Sequence, residues 1–223
     1  STLFPYTTLF RSTIKIRKYI PVAAGMAGGS TDAAAVLVGV NRMFDLGFTK
    51  KELMERGVKL GADVPYCIMR GTALSEGIGE ILTELPAPPQ CHLVIAKPQI
   101  SVSTKAVYGK LRVNELAPEE HPDIDGMMAA IKNGDLDGVI ERLGNVLETV
   151  TVPDHPEIAR IKEMMMENGA CGSLMSGSGP TVFGIYKDKE LAEKACQALR
   201  EADGGRLTRQ VYLTEFYNRK KAR

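Results

Sequence analysis

The 223-residue chain has almost no net charge, with 28 Lys and Arg against 27 Asp and Glu, a balance of +1. So even a balance supplies no long-range field to hold a polyanion, and nucleic acid is not an expected partner. Long apolar runs are also missing. The longest, Ala33 to Val40, is interrupted by Gly39 and falls far short of the ~20 residues that cross a bilayer, so no membrane span is expected. The cysteines at 67, 91, 171 and 196 stand 24, 80 and 25 positions apart, with no CxxC pair. That spacing argues against zinc ligation and a redox dithiol, and no metal site is expected. Four free, mostly buried thiols suit a reducing cytoplasm. His92, His121 and His155 are equally scattered, two of them before prolines, and there is no internal repeat.

What is present is ordinary for a folded chain: 44% hydrophobic and 25% charged residues, enough for one large or two small domains. The beginning is anomalous. Leu3 to Ser12 reads LFPYTTLFRS, which has no helical or strand period and resembles a translated sequencing adapter. Residues 1–12 are therefore set aside as a non-native segment, the alternative being an edge strand broken by Pro5. On that reading the chain is expected to be truncated at its N-terminus.

From Thr13 to Ile20, TIKIRKYI alternates apolar and basic residues and predicts a half-buried strand. Ser30 is then expected to cap a helix with Ala33, Val36, Leu37, Val40 and Phe44 on its apolar face, ending near Gly47. Thr49 and Glu52 form a capping box for a second helix reaching about Leu60. Gly61 to Arg70 reads as a turn into a short apolar stretch, and Gly71 to Leu85 as two strands around Gly77-Ile78-Gly79. The prolines between 86 and 89 are the linker, giving a first domain over 13–88 and a second over 89–217, with a basic tail at 218–223. In the second domain HLVIA (92–96) is a buried strand. Helices are expected at 103–111, 124–133, 136–149 and 157–168, the last with Met165 and Met166 in the core. Strands at 170–175 and 181–186 flank SGSGP (176–180), before a helix at 189–202 and a strand at 207–216. The mixture predicts an α+β fold in two layers.

Pro21 to Ser30, PVAAGMAGGS, lies between the expected strand and helix, where backbone N–H groups and the helix dipole attract phosphate. It lacks the lysine of GxxxxGK[ST] and the first glycine of GxGxxG, so an anion site and a tight structural turn both stand as readings. Ser30 and Thr31 carry hydroxyls suited to phosphate or metal. Asp32 would repel a phosphate unless it points away or Mg²⁺ intervenes.

Three strings together, PVAAGMAGGSTDAAA, LGADVPYCIMRGTALSEGIGE and GSLMSGSGPTVFGIY, resemble the GHMP kinases. The resemblance runs from about Ile14 to near the C-terminus. It implies a two-domain α+β fold, with an incomplete ribosomal-S5-like N-domain, a ferredoxin-like C-domain and a site in the cleft between them. It implies ATP, with Mg²⁺ carried on the nucleotide, and a small-molecule acceptor. The second string points within the family to phosphorylation of the 2-hydroxyl of a cytidine diphosphate-linked methylerythritol in isoprenoid-precursor synthesis. By resemblance, Pro21, Gly25, Met26, Ala27, Gly28, Gly29, Ser30 and Thr31 form the phosphate loop, which departs from the family's glycine pattern at Ala23 and Ala27. Asp63 maps onto the catalytic aspartate, although position alone makes it a helix N-cap. Tyr108 falls where the family stacks an aromatic on cytosine, the alternative being a core tyrosine on a helix face. Ser176, Gly177, Ser178 and Gly179 match the loop that closes over the phosphates.

A complete family member is expected to begin with a further stretch bearing a lysine, an aromatic and a histidine of the site. The chain alone is therefore expected to turn over poorly, and its first strand to show unpaired edges or exposed apolar surface. Competing readings are another GHMP small-molecule kinase, a non-catalytic nucleotide-binding module, and an interaction protein in which the glycine loop is a plain turn.

Overall fold

The structure, a computed structural model, describes residues 13–21 and 23–217. The segment set aside at 1–12 and the basic tail at 218–223 lie outside the described residues. Helix α1 (Gly28–Met43) starts within the glycine loop, because Ala27 in the left-handed region, φ 48°, turns the chain into the helix at Gly28. The cap position thus falls on an alanine, and Ser30, expected as the cap, sits inside the first turn. The apolar stripe is also rotated from the expected one. Ala33, Ala34, Leu37 and Val38 pack against Leu53, Val64 and Ile68, while Phe44 lies beyond the helix end with its side chain exposed.

Helix α2 (Lys50–Gly57) has the expected capping box: the Glu52 amide donates to Thr49 Oγ1 at 3.2 Å and the Thr49 amide to Glu52 Oε2 at 2.8 Å. The reciprocal bonds satisfy two amides that the helix leaves without partners. Helix α3 (Val64–Met69) takes up the apolar stretch after the expected turn, with Asp63 at its N-cap position. Pro65 is tolerated in its first turn, where its missing N–H is not needed, and Val64 and Ile68 bury themselves against α1 and α2. Strands β1 (Thr72–Glu76) and β2 (Ile81–Leu85) form the expected hairpin. The strand expected at 13–20 does not form. A strand needs partners for its N–H and C=O groups, no described residue pairs with this one, and Ile14 and Ile16 are exposed.

Beyond the prolines, β3 (His92–Pro98) buries residues on both faces because its sheet is covered on both sides. Helices α4 (Thr104–Lys110), α5 (Ile124–Asn133), α6 (Leu136–Glu141), α7 (Glu148–Asp154) and α8 (Pro156–Glu167) follow, the expected 136–149 helix being two. The break falls at Gly144-Asn145, where Asn145 Oδ1 accepts the Leu147 amide at 3.0 Å and starts a new turn. Strands β4 (Gly172–Met175) and β5 (Val182–Tyr186), helix α9 (Lys189–Glu201) and strand β6 (Thr208–Glu215) complete an antiparallel sheet of order β4-β5-β3-β6. With α8 and α9 as crossovers this is the βαββαβ plan expected for the C-domain.

The main core lies between the sheet and α8 and α9. Val94, Ala96 and Val182 meet Ile158, Ile161, Met165, Ala192, Ala195 and Leu199. Full burial of each large aliphatic side chain contributes roughly 1.5–3 kcal/mol. Met165 belongs to this core, whereas Met166 is 49% exposed, one position round the helix from it. On the opposite face Leu136, Ile140 and Leu143 cover Cys91, Leu93 and Ile185. Leu85, the last residue of β2, packs on Ala130, Ile131 and Val139, which ties the hairpin to α5 and α6. All four cysteines are free thiols, and among the described residues no helix is long and apolar enough to cross a membrane.

Candidate active site

The glycine loop is shaped by alternation. Ala23, Gly25 and Ala27 all have positive φ, at 51°, 69° and 48°. Left-handed residues spaced this way turn backbone N–H groups toward a common side, the concavity that binds anions. The two alanines hold a conformation that costs an L-residue about 1–2 kcal/mol. Ala23 and Ala27, where the sequence departs from the family's glycine pattern, therefore take the left-handed backbone that glycine adopts freely.

Helix α1 then adds its own donors. The Thr31 amide is the first to find an intrahelical acceptor, Ala27 O at 2.8 Å, while the amides of Gly28, Gly29 and Ser30 have none among the described residues. Ser30 Oγ likewise makes no hydrogen bond among them. Thr31 Oγ1 donates to Ala27 O at 3.0 Å and lies 3.5 Å from Cys67 Sγ. A Cβ on Gly28 would meet Ile20 Cγ2 at 2.9 Å, whereas one on Gly29 would meet nothing within 4 Å. Packing thus accounts for glycine at 28 and leaves the space over 29 open.

Asp32 is paired with a cation. Its Oδ2 pairs with Lys18 Nζ at 2.5 Å, and the same ammonium lies 3.3 Å from where a Gly28 Cβ would sit. The repulsion that a free carboxylate would exert on an anion at the helix start is neutralised. Sequence reasoning missed Lys18, since the alternation from 13 to 20 cast it as one of several outward basic residues.

Asp63 stands at the N-cap position of α3, yet its carboxylate makes no capping bond and is exposed. It lies one helical turn before Cys67, whose amide donates to Asp63 O at 3.1 Å and whose Sγ touches Thr31. Burial pushes the Cys67 thiol up, the Thr31 hydrogen bond opposes this, and the charge of Asp63 adds to the rise. The fold therefore sets the uncommitted carboxylate beside the helix that carries the open amides.

The SGSGP loop reaches the same place from the other domain. Ser176 Oγ donates to Gly25 O at 2.8 Å, and a Cβ added to Gly25 would lie 2.2 Å from Ser176 O and 3.0 Å from Gly179 O. Behind it, Ser178 Oγ lies 2.8 Å from Thr104 Oγ1, the first residue of α4. Tyr108 is four residues further along α4 and so on the same face as Thr104. Its ring is 60% exposed, which removes the core-tyrosine reading. Gly25 thus meets Ser176, Gly177 and Gly179 beside the start of α1. Asn145, Glu148, Thr151 and Thr104, which hold the second loop, carry no local sequence signal, since each is an ordinary polar residue on or beside a short helix.

Two family models match parts of the chain. Residues 4–71 match the family described as GHMP kinases N terminal domain, and residues 127–204 match GHMP kinases C terminal. The 4-diphosphocytidyl-2-C-methyl-D-erythritol kinase of Lachnospira eligens is 55% identical over 204 residues, covering 92% of this chain and 69% of that protein. That of Lachnoclostridium phytofermentans is 52% identical over 207 residues, with 93% and 69% covered. Among solved structures, a 4-(cytidine 5'-diphospho)-2C-methyl-D-erythritol kinase superposes with TM-score 0.72 at 30% identity, over 89% of this chain and 68% of that one. A homoserine kinase from Cytophaga hutchinsonii gives TM-score 0.75 at 21% identity, over 88% and 67%, a likeness of fold alone.

Proposed function

The chain belongs to the GHMP kinase family, and from that premise we propose that it transfers the γ-phosphoryl group of ATP to the 2-hydroxyl of 4-diphosphocytidyl-2-C-methyl-D-erythritol. The observation that carries the reading is the meeting of the Gly25 and Ser176 loops beside open helix amides. That meeting occurs in a chain whose relatives at 55% and 52% identity bear this kinase's name. The amides of Gly28, Gly29 and Ser30 bind the nucleotide's phosphates, assisted by the dipole of α1. Mg²⁺ bound to those phosphates would neutralise part of their charge. It seeks oxygen ligands, and the exposed carboxylate of Asp63, uncommitted among the described residues, is chemically suited to lie near it.

Asp63 orients the acceptor hydroxyl and takes its proton as the new O–P bond forms, and ADP leaves with the electrons of the broken P–O bond. Phosphoryl transfer of this loose kind depends on positioning and charge stabilisation, and a base in place typically contributes ~10²–10⁴ in rate. The exposed ring of Tyr108 stacks on the cytosine of the acceptor, which requires a flat apolar face and no charge.

The test is an assay, at enzyme concentrations high enough to read the slow turnover expected of the chain, with Mg·ATP and three acceptors in parallel: the cytidine diphosphate-linked methylerythritol, homoserine and mevalonate. ADP and a new phosphate monoester are expected with the first alone, read by phosphorus NMR. Product from homoserine or mevalonate and none from the first would overturn the choice of substrate.

A further inference from the structure

The loop that meets the glycine loop is held by more than its own hairpin, in which the Ser176 amide donates to Thr181 O at 2.8 Å and the Gly179 amide to Ser176 O at 2.9 Å. Asn145 Nδ2 donates to two of its carbonyls, Met175 O at 2.9 Å and Gly177 O at 2.8 Å, while Asn145 Oδ1 accepts the Leu147 amide at 3.0 Å. Glu148 Oε1 accepts the Met175 amide at 2.7 Å, and its Oε2 is fixed by Lys162 Nζ at 2.5 Å. Thr151 Oγ1 donates to Ser178 O at 3.3 Å. Three side chains at a spacing of three, from the turn before α7 through its first turns, thus grip four backbone groups between Met175 and Ser178. The two donors of the Asn145 amide are both used, which no other side chain of the same size can do, since an aspartate in its place has acceptors only.

The gripped segment then reaches forward, because Ser176 Oγ bonds Gly25 O across the two halves of the chain. We propose that Asn145 and Glu148 are positioning residues. They touch no reacting atom, and they hold the Ser176–Gly179 loop where it closes the phosphate site formed by the glycine loop. The proposal rests on the reading that these loops border the nucleotide. Without the clamp, the two carbonyls facing Asn145 lose their donors, the loop moves off Gly25, and bound nucleotide loses one wall of its site.

The test compares the full chain with its Asn145→Asp and Glu148→Gln variants by hydrogen exchange and by calorimetric titration with Mg·ATP. In Asn145→Asp, amides from Ser176 to Thr181 are expected to exchange faster, while those of α8 and β5 keep their parental protection. The Kd for Mg·ATP is expected to rise about tenfold, the equivalent of losing one to two net hydrogen bonds. Under turnover the same change appears in KM for ATP, with kcat affected less. Glu148→Gln keeps an acceptor for the Met175 amide but no charge for Lys162, and is expected to give a smaller shift in the same direction. If Asn145→Asp loses protection throughout, Glu148→Gln alone decides. Loop exchange and nucleotide affinity equal to the parent's would overturn the proposal, and so would faster loop exchange with unchanged affinity. A parent chain that takes up no ATP would instead overturn the reading of the site, a result separate from the exchange data on the clamp.

Discussion

Asp63→Asn is expected to lower phosphoryl transfer by ~10²–10⁴ while leaving affinity for Mg·ATP within about twofold. The substitution keeps size and shape and removes the proton acceptor. It also separates the two roles that position 63 could have. Asparagine caps helices as well as aspartate does, so a residue that served α3 as a cap would tolerate the change with no loss of rate or stability. The carboxylate in fact makes no capping bond, so little stability is at stake and the thermal midpoint should stay close to the parent's. A fall in kcat with KM preserved marks an interaction made in the transition state alone. An unchanged rate would remove Asp63 from the mechanism.

Gly25→Ala is expected to separate the two loops and to weaken Mg·ATP binding by at least about tenfold, with the main core undisturbed. Positive φ adds about 1–2 kcal/mol, a cost that Ala23 and Ala27 already bear on either side. Space adds the larger one. The new Cβ would lie 2.2 Å from Ser176 O and 3.0 Å from Gly179 O, both backbone atoms that cannot swing aside as a side chain can. Relief requires the Ser176–Gly179 segment to withdraw, which breaks the Ser176–Gly25 bond and works against the grip of Asn145 and Glu148. Calorimetry reads the affinity, and hydrogen exchange shows whether protection is lost in the loops while α8 and α9 keep theirs. Parental affinity would mean that the contact between the loops has no part in holding nucleotide.

Sequence alone made much of the second domain legible, because its signals are strong and local. HLVIA is apolar from Leu93 to Ala96 and reads as a buried strand. Two apolar runs on either side of SGSGP could only be a hairpin, and both are present with the expected pairing. The Thr49–Glu52 capping box was readable for the same reason. Elements that depend on distant partners were not. The 13–20 segment has the alternation of a strand, but alternation does not supply a neighbour, and none pairs with it among the described residues. GADVPYCIMR shows an N-cap position at Asp63, but so short a helix as α3 holds because α1 and α2 offer a surface to Val64 and Ile68. Met166 faces solvent because only one side of α8 meets the sheet.

The site follows the same division. Its backbone features announced themselves in Gly25, Gly28 and the SGSGP string, since glycine is required where chains approach closely. The Lys18–Asp32 pair and the Asn145 clamp join residues 14 and 32 positions apart. Such contacts have no signature in local spacing, and only the folded chain brings them together.

The account rests on a single physical claim, that the glycine loop and the Ser176–Gly179 loop form two walls of one phosphate site. Amide NMR of the ¹⁵N-labelled chain during titration with Mg·ATP tests it most directly. Resonances of Gly25, Gly28, Gly29 and Ser30 are expected to shift together with those of Ser176 to Gly179, saturating with one common Kd. Shifts confined to one loop, or centred on another part of the surface while both loops stay silent, would contradict it.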